Sequence, residues 1–161
     1  MEKQQVTSLD EMNRIVPTQP VLHLLGTRCG ERHEIRWGKH QIYLTPKCFK
    51  FLAKLGVVAA VEPERWVRRE ELERGENQAR YLYRLKHELE SQCTDLPVLW
   101  ENNRNGAYRL TLPMHRVSVN WSSLDESDDY DLVEWTKKFR PTDFRSESVS
   151  VPDHTGSQAA A

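Results

Sequence analysis

The sequence has few cysteines and no long apolar segment, and each shortage excludes a class of protein. Its 161 residues include only three cysteines, Cys29, Cys48 and Cys93, an odd number without a CxxC pair. Free thiols are therefore expected rather than a disulfide framework. No apolar run approaches the length of a membrane span, and the N-terminus lacks the apolar stretch of a signal peptide. We expect a reduced, cytoplasmic protein with no membrane partner.

Motifs of enzyme chemistry are also lacking. Cys29 and His33 are the nearest nucleophile and base in the sequence, but neither a companion acid nor an oxyanion glycine motif accompanies them. The six histidines are dispersed without zinc-ligand spacing. Neither a GxxxxGK[ST] phosphate loop nor a dinucleotide fingerprint occurs. We expect no enzyme, no metal site and no cofactor.

The distribution of charge is more informative, because the formal net charge of −1 hides an asymmetry. Residues 28–116 hold 17 Lys and Arg against 12 Asp and Glu, whereas residues 117–161 hold 4 against 9. A basic middle followed by an acidic end indicates that the folded part meets an anionic partner, while the end of the chain has another role.

The chain begins with a polar N-terminal extension, residues 1–20, that leads into a domain predicted for residues 21–112. Capping-box spacing in the extension predicts a short helix from Leu9 to Ile15. From Val21 to Tyr43 the pattern is strand-like, with a hairpin turn at 38–40, which predicts a small antiparallel sheet. Thr45-Pro46 then starts a core helix that we expect to end before Pro63.

Residues 77–90 are the segment around which the domain is organised. At 3.6 residues per turn, one stripe is apolar enough to pack on a core: Gln78, Leu82, Leu85 and Leu89. The opposite side offers groups that can contact a polyanion: Arg80, Tyr83, Arg84 and His87. A short helix opening at 68–72 and a break at Arg74-Gly75 precede this segment, which predicts a helix-turn-helix. For this segment alone, the alternative is an ordinary surface helix with solvated charges.

A β-hairpin is predicted directly after this helix. The runs Pro97–Trp100 and Ala107–Leu112 flank a polar loop that ends in Asn105-Gly106, a strong hairpin signal. At the hairpin tip, Arg104 can reach a phosphate or a neighbouring minor groove. The expected fold class is therefore α+β, a winged helix-turn-helix with a small N-terminal antiparallel sheet, three helices and a C-terminal β-hairpin wing.

Four sequence blocks of this domain carry a resemblance to a known family. They are LTPKCFKFL at 44–52, VRREEL at 67–72, YLYRLKHELE at 81–90 and GAYRL at 106–110. In this order they resemble the LTPxEFxLL, vsRexL, IxrLRxKLe and GxGYRL motifs of the winged-helix DNA-binding domain of OmpR/PhoB-type response regulators. The resemblance covers roughly residues 21–112. It implies a major-groove helix at 77–90 with Arg80, Arg84 and His87 facing DNA, and it leaves open a homodimer on a direct-repeat site.

The chain also departs from that family. Cys48 stands where the family usually has glutamate, and Glu88 where a lysine or arginine is common. Only Gly75-Glu76 separates the second and third helices, so we expect no polymerase contact through this loop. Residues 1–20 are too few for a receiver domain, so we expect no switch by phosphorylation of an N-terminal receiver.

Residues 113–161 are predicted to be an acidic, largely disordered C-terminal tail. The stretch Ser122–Asp131 is acidic and rich in serine, and Leu132–Phe139 is a short amphipathic segment. Two interpretations of 124–139 stay open. The segment folds onto a protein partner or onto the basic face as a DNA mimic, or it forms a helix packed on its own domain.

The predicted function is sequence-specific binding of double-stranded DNA by a transcription regulator. The candidate DNA-binding residues are Arg80, Tyr83, Arg84, Lys86, His87 and Arg104. The alternative is a winged-helix protein-interaction module, an adaptor or assembly subunit that does not bind DNA. Three features favour this alternative. They are the modest net positive charge of residues 28–116, the acidic Glu88 on the helix predicted for residues 77–90, and the acidic tail.

Overall fold

The computed structural model describes residues 19–75 and 77–141. The helix expected at 9–15 and residues 142–161 lie outside the described part. Within it, the chain is a mixed α+β structure with two small sheets and five helices. The expected α+β class is therefore confirmed.

The predicted N-terminal sheet is present and includes a fifth strand from a distant part of the chain. Its strands are β1 (Leu22–Leu24), β2 (Arg28–Cys29), β3 (Arg32–Trp37), β4 (His40–Leu44) and β8 (Val117–Val119). Strands β3 and β4 pair antiparallel across a tight turn at Gly38, whose φ of +60° favours glycine. Strand β8 lies parallel to β1, with Val117 opposite Leu22. The sheet therefore extends beyond residue 112.

Helix α1 (Pro46–Val61) is the centre of the core. Thr45 precedes it in an extended conformation and Pro46 occupies its first turn, as the Thr-Pro pair predicts. All residues from 48 to 59 are buried, and Gly56 lies directly against Leu24 of the sheet. Two of these buried residues, Lys50 and Lys54, carry charge and need partners.

Two further helices and a second sheet follow. Helices α2 (Arg69–Leu72) and α3 (Gln78–Gln92) are separated by a turn in which Gly75 has a φ of +94°, at the predicted break. The second sheet consists of β5 (Val67–Arg68), β6 (Trp100–Asn102) and β7 (Ala107–Leu110). Strand β7 lies in the middle and pairs antiparallel with both β5 and β6.

The predicted hairpin is the β6–β7 pair, but its first strand is shorter than expected. It begins at Trp100 and not at Pro97, since proline has no N–H for the ladder and Val98 is exposed.

The structure differs from the expectation of a disordered tail over residues 113–141. A 3-10 turn (Met114–Arg116) leads into β8, and helices α4 (Trp121–Asp125) and α5 (Tyr130–Phe139) follow. Asn120 and Asp129 start these helices by accepting backbone hydrogen bonds from residues three positions later. Of the two interpretations left open for this segment, the helix packed on its own domain is the one observed.

Helix α5 is held to α1 by apolar packing and by buried charge. Trp135 is buried, and its indole N–H donates to the carbonyl oxygen of Lys54 at 3.2 Å. Asp131 Oδ2 lies 2.9 Å from Lys50 Nζ and 2.7 Å from Lys54 Nζ. The acidic composition of this segment suggested disorder. Composition does not show that buried lysines of α1 neutralise the charge of Asp131.

Candidate nucleic-acid interface

Helix α3 is fixed to the domain through the stripe that the sequence predicted. Its buried residues are Gln78, Leu82, Leu85 and Leu89, so the predicted packing face is confirmed. The Gln78 amide donates to the backbone carbonyls of Glu73 at 2.8 Å and Gly75 at 2.6 Å, which fixes the turn between α2 and α3. Core contacts therefore fix the buried face of α3, and the hydrogen bonds of Gln78 fix its N-terminus.

The other side of α3 is exposed to solvent. All five candidate residues of this helix are exposed: Arg80, Tyr83, Arg84, Lys86 and His87. The rings of Tyr83 and His87 contact each other edge to face, with their centroids 4.6 Å apart. We call these five residues the basic face of α3. It combines three cationic side chains with a phenol and an imidazole, all of which can donate hydrogen bonds.

Glu88 is on α3 beside this face, and its carboxylate is directed toward the start of α1. Its carboxylate accepts hydrogen bonds from the Thr45 backbone N–H at 3.0 Å and the Thr45 hydroxyl at 2.8 Å. Thr45 immediately precedes α1, so the carboxylate lies at the positive end of the α1 helix dipole. The same carboxylate forms an ion pair with Arg84, with Oε2 3.3 Å from Nε.

Arg104 lies on a different element, at the tip of the β6–β7 hairpin. It is exposed and has a φ of +68°, and the following Gly106 has a φ of +82°. The Asn103 side chain holds the tip, since its Oδ1 accepts from the backbone N–H groups of Asn105 at 2.8 Å and Ala107 at 3.1 Å. The structure thus gives Arg104 a defined backbone position, separate from the basic face of α3.

Two further arginines lie beside the hairpin and were not among the predicted site residues. Arg68 is in β5, opposite Ala107 of the hairpin, and Arg69 starts α2 and donates its backbone N–H to the Gly106 carbonyl at 3.0 Å. Both side chains are exposed. The adjacent arginines were visible in the sequence, but only the β5–β7 pairing shows that they flank the hairpin.

A polar cleft of about 460 Å³ lies on another part of the surface, between the first sheet and the segment 120–128. Gly26, Arg28, His33, Ser123 and Asp128 contribute to its lining. Arg28 is already paired with Asp128 at 2.6 Å. Among residues 19–75 and 77–141, no group of three or more His, Cys, Asp or Glu side chains is arranged to hold a metal ion.

Comparison of the chain with protein-family models, with curated proteins and with solved structures finds no match. In the described part of the chain, none of the helices has the length and apolarity needed to cross a membrane.

Proposed function

We propose that the chain is a winged-helix protein that binds double-stranded DNA sequence-specifically and acts as a transcription regulator. The observation that carries the proposal is helix α3, which is packed in the core along one stripe and exposes the basic face along the other. A helix of this kind fits the major groove of B-DNA, whose width admits one α-helix. The hairpin after it presents Arg104 as the wing of a winged helix does.

The roles of the residues follow from their chemistry. Arg80, Arg84 and His87 are proposed to face base edges, and Tyr83 and Lys86 to contact the flanking backbone. Arg104 is proposed to contact a phosphate or the minor groove, and the exposed Arg68 and Arg69 beside the hairpin extend the phosphate contacts. The contacts to base edges give sequence specificity. The contacts to the phosphate backbone give an affinity that depends on the salt concentration.

The first experiment is a titration of the full chain against random-sequence duplex DNA at about 50 and 200 mM salt. The full chain is used because β8 completes the first sheet, so that a protein ending at residue 116 would lose a core strand. If three or four arginines contact phosphates, the logarithm of the association constant should fall with a slope of about −3 to −4 against log salt. Selection from the random pool then defines the preferred site and the number of copies bound.

The second experiment tests α3 itself with Arg84→Ala on the selected site. The loss expected is about 1–3 kcal/mol if Arg84 makes a bidentate guanine contact. Lys39→Ala is the matched control, because Lys39 is an exposed cation in the β3–β4 turn and its loss changes the net charge equally. Equal effects of the two substitutions would show that α3 does not read the site.

The competing proposal is a protein-interaction module, and one feature of the surface favours it. Val98 is an exposed apolar side chain beside Leu96, Pro97 and Lys86, close to the basic face. Absence of duplex binding at low salt, together with capture of a defined partner that Val98→Asp abolishes, would favour this proposal over DNA binding.

A further inference from the structure

The carboxylate of Glu88 is held in one position by the start of α1. Its two oxygens accept separately from Thr45, Oε1 from the backbone N–H and Oε2 from the hydroxyl. The side chain is only 13% exposed. These two hydrogen bonds fix the position of the Glu88 carboxylate beside the N-terminus of α1.

Arg84 lies one helical turn before Glu88, and its guanidinium forms an ion pair with this carboxylate. The Arg84 Nε atom is 3.3 Å from Oε2, and the Arg84 side chain is 60% exposed. The contact is an ion pair without a hydrogen bond, so charge attraction and not N–H direction keeps the Arg84 guanidinium near the fixed carboxylate. The exposed guanidinium stays accessible to a partner that approaches α3.

Such an arrangement favours guanine over the other bases. Guanine presents two acceptors, N7 and O6, on its major-groove edge, whereas adenine presents one acceptor beside an amino donor. Two parallel N–H donors match the first pattern and oppose the second. Restricting the guanidinium beforehand reduces the side-chain freedom that is lost on binding, and so strengthens the correct contact.

We propose that Glu88 is a positioning residue that fixes Arg84 to read one guanine in the major groove. This inference rests on the proposed function, since it assigns a base to the same helix. It also gives a role to Glu88, an acidic residue on the helix that carries the basic face.

The test compares Glu88→Gln with Glu90→Gln, on the selected DNA site and on variants of that site. Glu90 is an exposed glutamate of the same helix, so both substitutions remove one negative charge near DNA. A glutamine at 88 keeps an oxygen for the Thr45 N–H, but it carries no charge to attract the Arg84 guanidinium. The guanine position is the base pair at which exchange of G·C for A·T weakens binding by the wild-type protein but does not weaken binding by Arg84→Ala.

Wild-type protein should discriminate at this position by roughly 5- to 100-fold. Glu88→Gln should reduce the discrimination by roughly two- to five-fold, while Glu90→Gln leaves it unchanged and both bind random DNA slightly more tightly. In an Arg84→Ala background, Glu88→Gln and Glu90→Gln should change the affinity for the selected site equally, whereas a merely structural role of Glu88 would make Glu88→Gln weaken binding in that background too. Thermal unfolding of each variant shows whether the start of α1 remains intact.

The outcomes separate this inference from the proposed function. If wild-type protein binds no duplex selectively, both the proposed function and the positioning role are wrong. If it binds selectively but the position read by Arg84 is not guanine, or Glu88→Gln behaves like Glu90→Gln, DNA binding stands and the positioning role of Glu88 is wrong.

Discussion

Substitution of Asp131 by asparagine should destabilise the protein because it removes the carboxylate shared by two buried lysines. Lys54 is 1% exposed, and its ammonium group contacts Asp131 and the carbonyl oxygens of Glu71 at 2.6 Å and Leu72 at 3.1 Å. Breaking a fully buried ion pair costs about 3–5 kcal/mol. The Asp131 side chain is 51% exposed, which reduces this cost, so about 2 kcal/mol is expected.

The assay is urea unfolding followed by tryptophan fluorescence, with Asp128→Asn as the matched control. Asp128 forms its ion pair with Arg28 on the surface, where its side chain is 79% exposed, so its loss should cost less than about 1 kcal/mol. In a parallel thermal unfolding experiment, the melting temperature of Asp131→Asn should fall by about 4–8 °C. Equal free energies of unfolding for the two variants would refute the structural role assigned to the buried lysines.

The same prediction has a definite dependence on pH. Burial alone would raise the pKa of Asp131, but Lys54 and Lys50 outweigh burial and hold this pKa below its usual value of 3.8. A carboxylate with a lowered pKa stabilises the fold at pH values above 3.8 and loses this contribution as the pH falls through its folded pKa. The difference between wild type and Asp131→Asn should therefore be largest near pH 7 and should shrink in acid. A difference that does not shrink as the pH falls below 3.8 would contradict the ionic origin.

Two further predictions concern the core and the thiols. Gly56→Ala should destabilise the protein by about 1–3 kcal/mol in urea unfolding, because a Cβ at this position would overlap Leu24. This overlap should outweigh the higher helix propensity of alanine. Unchanged stability would show that the packing around Leu24 can relax. Burial raises the pKa of Cys48 to about 11, and Cys29 is exposed. Mass spectrometry after iodoacetamide treatment at pH 8 should therefore find Cys29 modified and Cys48 unmodified in the native protein, and rapid labelling of Cys48 would contradict its burial.

The elements predicted correctly are those that neighbouring residues determine. Thr45-Pro46 starts α1, and Gly75 separates α2 from α3. The 3.6-residue stripe of α3 places its buried residues correctly, because a helix that packs on one side needs only that local period. Asn105-Gly106 likewise locates the β6–β7 hairpin.

The features that sequence did not predict depend on residues far apart in the chain. Asp131 pairs with Lys54 across 77 positions, and Glu88 binds Thr45 across 43. Each of these charged residues, considered alone, has the properties of a solvated surface group. Composition therefore indicated disorder for a segment in which Asp131 has two buried partners.

The same long-range pairs change the balance between the two proposed functions. Glu88 and the acidic tail favoured a protein-interaction module because they were counted against the basic face of α3. Glu88 is directed toward the start of α1, and Asp131 pairs with lysines of α1. Asp128 pairs with Arg28 in the first sheet. Asp128 and Asp131 therefore neutralise other parts of the domain, while Glu88 divides its charge between the start of α1 and Arg84. The acidic segment thus subtracts less from the positive charge of α3 than the composition indicates.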